Sequence, residues 1–580
     1  MARINNDYVK FIRFAHDRVK RTGHGIVAFI SSNSFLDGPI FRGMRAQLMA
    51  DFDDIYVLDL HGNGNKGERT PKTLQMQGDD KNVFDILEGV CITFLVKLPA
   101  ALAEPAVDEV FELTAPEPGA KKSKHRQLKG GKVTLKARIH QADLWGSRDY
   151  KYGWLEKHGL PDTPWQSLQP ALPQLLLVPR DESDAAEYAQ GWKITEIFGL
   201  TLLGPNSHRD HFAVAFDADE AQKRIHDFFD EGISDQVIRD RYELADNRDW
   251  SLRRARSLSL KAAKPVLSVY RAFDLRYMLY GDYAFDYPRS EINDSISHGS
   301  PALVTTKQTK EEFAAFVIDK PAAQHKLVTP YDGSYVSPLY VSGSIPNLSP
   351  AFLSALAQAL GRPVSALHGL PEGVTPEDVL AYVYAVLYAP SYRQRYAGFL
   401  KSDFPRIPLS NQAPAHANTA QEAIEFVAIW RALLPLGKAL IDLHLLKNVP
   451  AALRARFAVQ GSNEVEKPRF EVCNGSGRVW INASQYFDGV PLETWRFKVG
   501  GYQVCEKWLK DRKGRQLDFA DLQHYGAVVA ALTRTRELMQ AIDAIASGTL
   551  WPAAAGDLPL PVLLHEDAAI CPEPVNAVES

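Results

Sequence analysis

The chain is poor in cysteine. It has four in 580 residues, at Cys91, Cys473, Cys505 and Cys571, and none stands in Cys-x-x-Cys spacing. That spacing is what a small zinc site or a redox pair needs, so buried free thiols in a reducing compartment are expected. Long apolar runs are also missing. None reaches the roughly 18 residues of a membrane span. The start, Met-Ala-Arg-Ile-Asn-Asn-Asp, has no apolar stretch of a secretion signal. The sequence thus predicts a cytoplasmic chain with no membrane partner. Charge of one sign is absent too. The formal net charge is −4, so no global basic excess advertises nucleic acid, although a local basic face is enough to bind it. No Gly-x-x-x-x-Gly-Lys-Ser/Thr loop occurs, which excludes a P-loop motor, and no Asp…Glu-x-Lys pattern marks a nuclease core. His208-Arg-Asp-His211 lacks a third ligand at a fitting spacing, so no metal is expected there. The chain has 36 prolines, yet no two are adjacent.

Apolar residues make up 45% of the chain and charged residues 23%, as in ordinary globular proteins, and the length suits three or four domains. Residues 7–21 place Tyr8, Phe11, Ile12, Ala15 and Val19 on one helical face, and Gly23 and Gly25 stop the helix. Ile26–Ile30, Ile55–Leu60 and Val90–Val96 are short apolar runs that read as strands buried on both faces, with a helix at Arg42–Met49. This predicts the second half of a doubly wound α/β sheet over 1–105, with an open edge that calls for a partner. Residues 106–140 read as a basic linker or hairpin around Gly130-Gly131. Its run 121–138 has eight Lys or Arg and no acid. A mixed α+β region, 141–345, carries Trp145, Trp154, Trp165 and Trp192 as packing anchors. A helical region, 346–450, follows, with Thr375 as the N-cap of a helix starting at Pro376. An α+β part with a loose tail, 451–580, ends the chain.

Several stretches invite a functional reading, each beside a plainer one. Ser32, Asn33, Ser34 and Asp37 follow a strand, where open α/β sheets put their sites; they also suit a simple turn. Arg42 and Arg45 share a helix face that fits DNA phosphates or an ion-paired surface. Lys121, Lys122, Lys124 and Arg126 can neutralise phosphates or form a solvated hairpin. In Tyr270-Arg-Ala-Phe-Asp-Leu-Arg276, Arg271 and Arg276 can contact guanine or phosphate, or Arg271 can pair with Asp274 to hold a turn. Lys307 and Gln308 lie in a polar loop after a strand and suit base edges. Asp59-Leu-His-Gly-Asn-Gly64 is similar to a strand-to-loop S-adenosylmethionine signature, but no apolar helical period follows it.

Four stretches resemble the part that follows the catalytic tetrapeptide in type ISP and type IIG-like restriction–modification enzymes. They are Tyr8-Val-Lys-Phe-Ile-Arg13, Gly25 to Arg45, Asp59-Leu-His-Gly-Asn63 and Asn82 to Lys97. Leu144-Trp-Gly-Ser-Arg148, Tyr270 to Tyr277, Tyr396 to Pro408 and Trp495 to Val504 resemble the specificity region of the same enzymes. The resemblance spans roughly 5–550 and rests on the order of the motifs. It implies the C-terminal half of an N6-adenine DNA methyltransferase domain followed by a target-recognition region. Double-stranded DNA is the implied partner and S-adenosylmethionine the family cofactor, held by an N-terminal half. That half, a helicase or a nuclease is implied as a further, separate partner. The family's catalytic tetrapeptide, Asn/Asp-Pro-Pro-Tyr/Phe, presents hydrogen-bond acceptors and a ring to a flipped base. With no Pro-Pro pair, this chain offers no catalytic residue of that kind. The expected function is DNA sequence recognition and target-base presentation for adenine methylation in restriction–modification or phage defence, catalytically incomplete alone. Two alternatives stand beside it: a complete divergent methyltransferase using Asp59 to Gly64 as its cofactor loop, and a non-enzymatic DNA-binding remnant.

Overall fold

A computed structural model describes residues 6–64, 70, 80–102, 109–112, 132–170, 174–179, 184–258, 263–409, 420–457, 459–473 and 476–551. The chain divides into two compact units, Met1–Glu182 and Ser183–Ser580. Among the described residues no helix is long and apolar enough to cross a membrane.

The first unit is built on a mixed sheet. Helix α1 (Asp7–Thr22) ends at Gly23 in the left-handed region and leads into β1 (Gly25–Ser32). Short α2 (Ser34–Asp37) and α3 (Arg42–Asp51) precede β2 (Asp54–Asp59) and β3 (Val90–Lys97). Strand β4 (Glu109–Glu112) pairs with β5 (Lys132–Leu135) apart from the main sheet. Then come β6 (Arg138–Asp143), α4 (Arg148–Lys157) and β7 (Gln166–Leu168). The five-stranded order is β1-β3-β2-β6-β7. Strand β3 is antiparallel to both β1 and β2, while β2 and β6 are parallel. The expected first-unit strands and helices are present, but the sheet runs on past 105 and 140 through β6 and β7, so the expected boundaries there do not hold. The hairpin turn is expected at Gly130-Gly131. Those glycines lie outside the described residues, and the flanking β4 and β5 pair antiparallel.

Alternation settles which faces are covered. Odd positions of β1, β2, β3 and β6, such as Val27, Val57, Leu95 and Ile139, pack under Ile12 and Val19 of α1 and Leu48 and Met49 of α3. On the other face, Leu58 and Ala142 are covered, with Trp154 and Leu155 of α4 packed against them. The β1 end of that second face has no cover. Ile26 is 68% exposed and Ile30 54%. Strand β1 was expected to be buried on both faces; it is instead an edge strand with one apolar side bare.

The second unit has one dominant core and a satellite. In chain order it holds β8 (Leu202–Leu203), β9 (Val214–Ala215), α5 (Ala218–Phe229), β10 (Pro265–Arg271), β11 (Asp274–Leu279), α6 (Ser290–Ser297), β12 (Ala302–Thr306), β13 (Ala315–Ile318) and β14 (Ser334–Pro338). The strands form a β9-β11-β10 sheet and a β13-β12-β14-β8 sheet. Helices α7 (Pro376–Tyr388), α8 (Ala420–His444), α9 (Val504–Lys510) and α10 (Phe519–Ala546) follow. Thr375 caps α7 as expected: its Oγ1 accepts from the Asp378 amide at 3.2 Å, inside a reciprocal capping box. Every residue of α7 except Glu377 is buried, so it is the central post of the unit. Residues from the expected 141–345, 346–450 and 451–580 regions share this one core from residue 188 onward, so they are not separate bodies.

Candidate nucleic-acid interface

The carboxyl ends of the parallel strands in the first unit gather the polar residues. Ser32 ends β1, and its Oγ lies 2.9 Å from Ser34 Oγ, which lies 2.9 Å from the Tyr8 hydroxyl. Asn33 is buried. Its Nδ2 donates to Asp59 Oδ1 at 3.0 Å, its backbone N–H donates to Gly89 O, and its Oδ1 has no partner. Asn33 therefore faces inward and ties the ends of β1 and β2 together, while Ser32 and Ser34 stay half-exposed. Asp37 is half-buried, and its charge acts on Arg45.

Arg45 is fully buried. Its guanidinium donates to the carbonyls of Phe35 (2.7 Å), Gly38 (2.8 Å) and Gln174 (2.7 Å), and burial lowers its pKa to about 10. The helical spacing that put it beside Arg42 is real, yet the side chain satisfies loop carbonyls and reaches no DNA-accessible surface. Arg42 remains half-exposed.

Sequence reasoning missed a polar cluster next to this site. His61, in the left-handed region at φ 52°, places Nε2 2.9 Å from Asp143 Oδ1 and Nδ1 3.8 Å from Asp59 Oδ2. Its ring stacks on Trp145 at 3.3 Å between centroids. Burial raises the Asp59 pKa. Asp59, His61 and Asp143 offer ligand atoms within 4.8 Å of one another, a donor set a cation could use. The available signal was the pair Asp59-x-His61 and Asp143-x-Trp145, which end neighbouring parallel strands at matching register. Below it, Lys151 and Asp80 form a fully buried ion pair at 2.7 Å. Asp80 also accepts from the Gly62 and Gly146 amides, at 2.6 and 3.0 Å.

The same closure bears on the Asp59–Gly64 loop. Asp59 spends one carboxylate oxygen on Asn33 and the His61 amide. At Gly62, φ is +77° and an added Cβ would lie 2.4 Å from Asn82 Cα. The turn at Gly62 is packed against the backbone of Asn82.

In the second unit Arg271 and Arg276 are internal. Arg271 pairs with Asp511 of the segment after α9. Arg276 bonds Asp274 at 2.8 Å and reaches Asp511 at 3.3 Å, and Arg512 holds the other side of Asp274 at 3.0 Å. The rings of Tyr270 and Phe216 lie 4.0 and 4.2 Å from the Arg276 guanidinium. Burial alone would raise the Asp274 pKa, but the two arginines hold it below the usual carboxylate range. The network staples the β10–β11 hairpin to the α9 region and does not present these arginines to a groove. In place of the Arg271–Asp274 pair offered as the plainer reading, Arg271 pairs with Asp511, and Asp274 is held by Arg276 and Arg512. Lys307 and Gln308 are half-exposed in the loop after β12, with Lys307 Nζ 5.6 Å from the Phe404 ring centroid. Lys121, Lys122, Lys124 and Arg126 lie outside the described residues. His208 bonds Asp286, and His211 lies 2.8 Å from the Tyr242 carbonyl.

The chain shares its fold with longer chains solved on DNA or a DNA mimic. It is similar to the structure titled DrdV–DNA complex at TM-score 0.64 and 20% identity, over 93% of this chain and 52% of that one. It is similar to the ATP-dependent Type ISP restriction-modification enzyme LlaBIII bound to DNA at TM-score 0.64 and 20% identity, over 92% and 34%. A nuclease-deletion mutant of the Type ISP restriction-modification enzyme LlaGI, in complex with a DNA substrate mimic, matches at 0.61 and 19%, over 93% and 40%. The chain thus spans about half or less of these structures. No curated protein matches it in sequence. The family model of the Type ISP C-terminal specificity domain matches residues 196–541, most of the second unit, and the chain belongs to that family.

Proposed function

We propose that this chain recognises a DNA sequence as the specificity part of a Type ISP restriction–modification enzyme, and that its first unit completes an N6-adenine methyltransferase domain. The match of residues 196–541 to the specificity-domain family carries the recognition half of this reading. The methyltransferase half is supported by the first sheet. An antiparallel strand sits between parallel ones, and the polar residues collect at the carboxyl ends, where open α/β sheets bind ligands. Ser32 and Ser34 would face the target base there. The loop ending at Gly89 runs past Asn33 and presents Phe84, 41% exposed, as a stacking surface for an unstacked base.

S-adenosylmethionine would bind on the polypeptide that completes the sheet beyond β1. Three observations support this: the absent Pro-Pro tetrapeptide, the packing of Gly62 against the chain's own Asn82, and the bare Ile26 and Ile30 face at an open strand edge. A doubly wound sheet needs helices on both faces, so that partner would bring a strand and an apolar helix face. A helicase or nuclease would be supplied by other polypeptide, in keeping with the lack of a P-loop or Asp…Glu-x-Lys pattern in this sequence.

The test is selection of bound duplexes from a randomised pool by the chain, alongside methyl transfer from labelled S-adenosylmethionine. Enrichment of a defined site without methyl incorporation is expected. Failure to enrich any sequence would refute specificity, and incorporation above a no-protein control would refute catalytic incompleteness.

A further inference from the structure

Between β2 and β3 the chain has no regular structure over 81–89, yet its backbone is firmly held. Four consecutive carbonyls are each taken by a side chain of α4. Lys151 Nζ donates to Lys81 O at 2.7 Å and Arg148 Nε to Asn82 O at 3.0 Å. The Tyr152 hydroxyl donates to Val83 O at 2.6 Å, and Arg148 Nη2 to Phe84 O at 3.1 Å. Residues 148, 151 and 152 are three and four apart, so they share one face of the helix. Lys151 also donates to Leu60 O at 2.6 Å, which anchors the grip to the residue after β2.

Asn82 closes the loop from within. Its Nδ2 donates to Glu88 O at 2.6 Å, and its Oδ1 accepts from the Phe84 N–H at 2.8 Å. Both backbone polar groups of Phe84 are therefore held by side chains, and so is the carbonyl before it. Val83 is buried in the cluster of Leu58 and Leu60, whereas Phe84, Ile86 and Leu87 are exposed. The Asn33 N–H on Gly89 O sets the far end of the loop beside Ser32 and Ser34.

Carbonyls on an exposed loop can be left to water, and holding a side chain as long as that of Arg148 in one geometry costs entropy. Here the grip fixes a stretch whose apolar side chains stay outside, so the order it brings goes to their direction and not to a core. Arg148 pairs in addition with exposed Asp85 at 2.7 Å, which offsets the acid next to the ring. A ring whose backbone is already set loses less freedom on stacking, and that raises affinity for whatever it stacks on. We propose that Arg148 and Tyr152, with Lys151 as their anchor, are positioning residues that set the 81–84 backbone so that the Phe84 ring stands ready for an unstacked base. This rests on the stacking surface of the proposed function and says what builds it.

The test uses the full chain and two duplexes of one sequence, fully matched or carrying a single bulged adenine. The parent should prefer the bulged duplex by roughly tenfold, the worth of one base on an aromatic ring, and Phe84→Ala should abolish that preference. Tyr152→Phe removes one hydroxyl and Arg148→Gln both guanidinium bonds; Lys151 is left in place, because its buried pair with Asp80 supports the fold. Each variant should lower the preference about threefold and speed hydrogen exchange of the Phe84 amide. In a Phe84→Ala background neither should lower it further, a non-additivity that a general loss of stability would not give. Preference kept in both variants, an equal fall in the Phe84→Ala background, or parallel losses on the two duplexes overturns the positioning role. A parent that binds both duplexes alike refutes the Phe84 stacking surface, and the positioning role with it. One that binds neither refutes the DNA-recognition reading itself.

Discussion

Arg45, Arg271 and Arg276 show how one residue type divides by environment. Each stood at a spacing that suits phosphate contact, yet each guanidinium is committed inside the protein. Arg45→Met would leave the carbonyls of Phe35, Gly38 and Gln174 without their donor. An unsatisfied buried acceptor costs roughly 1–3 kcal/mol, so a loss of about 2–5 kcal/mol in chemical unfolding is expected, with the salt slope of DNA binding unaltered. Stability kept and a shallower slope would return Arg45 to the DNA. Asp274→Asn should cost about 3–5 kcal/mol, because Arg276 and Arg512 would lose their shared buried carboxylate. The folded pKa of Asp274 is depressed, so its contribution is full above the unfolded value near 4 and is lost as pH falls through the lower folded one. Urea midpoints measured through that acid range should decline less for the Asn variant than for the parent.

Helix α8 meets α7 and α10 through one buried imidazole. His444 Nδ1 lies 2.5 Å from the Tyr384 hydroxyl and Nε2 2.9 Å from Thr535 Oγ1. Thr535 Oγ1 donates to the Ala531 carbonyl, so it accepts from His444 Nε2–H, and Nδ1 accepts from the Tyr384 hydroxyl. Both bonds use the neutral ring, and burial, with Arg393 nearby, lowers the pKa to about 3. The unfolded chain binds a proton near pH 6.5 and the folded chain does not. Stability is therefore full above that pH and falls as pH drops toward 3, by up to about 1.4 kcal/mol per pH unit from this group. His444→Gln should flatten the decline between pH 6 and 4 by about that slope, as followed by urea unfolding; an unchanged profile would show that the ring already titrates normally. At the edge of the first sheet, bare Ile26 and Ile30 should drive self-association of the isolated chain. Ile30→Lys is expected to lower the sedimentation-derived association without changing the melting of the unit, and equal association in both would place the contact elsewhere.

The two units have separate cores. One sheet with its helices fills the first, and a core running from Tyr188 to Trp551 fills most of the second. Calorimetry should resolve more than one transition. Arg45→Met should lower only one of them, and a single transition shifted as a whole would show that the units unfold together.

Local pattern was enough to read the strands at 26–30, 55–60 and 90–96, the Thr375 cap, and the order of motifs that resembles the Type ISP enzymes. Those signals depend on neighbours a few residues apart. The missing Pro-Pro tetrapeptide was equally a property of the sequence. Partners far along the chain decided the rest. The Arg271–Asp511 pair, the meeting of His61 with Asp143, and the Thr305–Tyr335 pairing join residues that no periodicity connects. Whether a cation is free for DNA depends on which carboxylate the fold brings to it, and that is settled only when the strands and helices have packed.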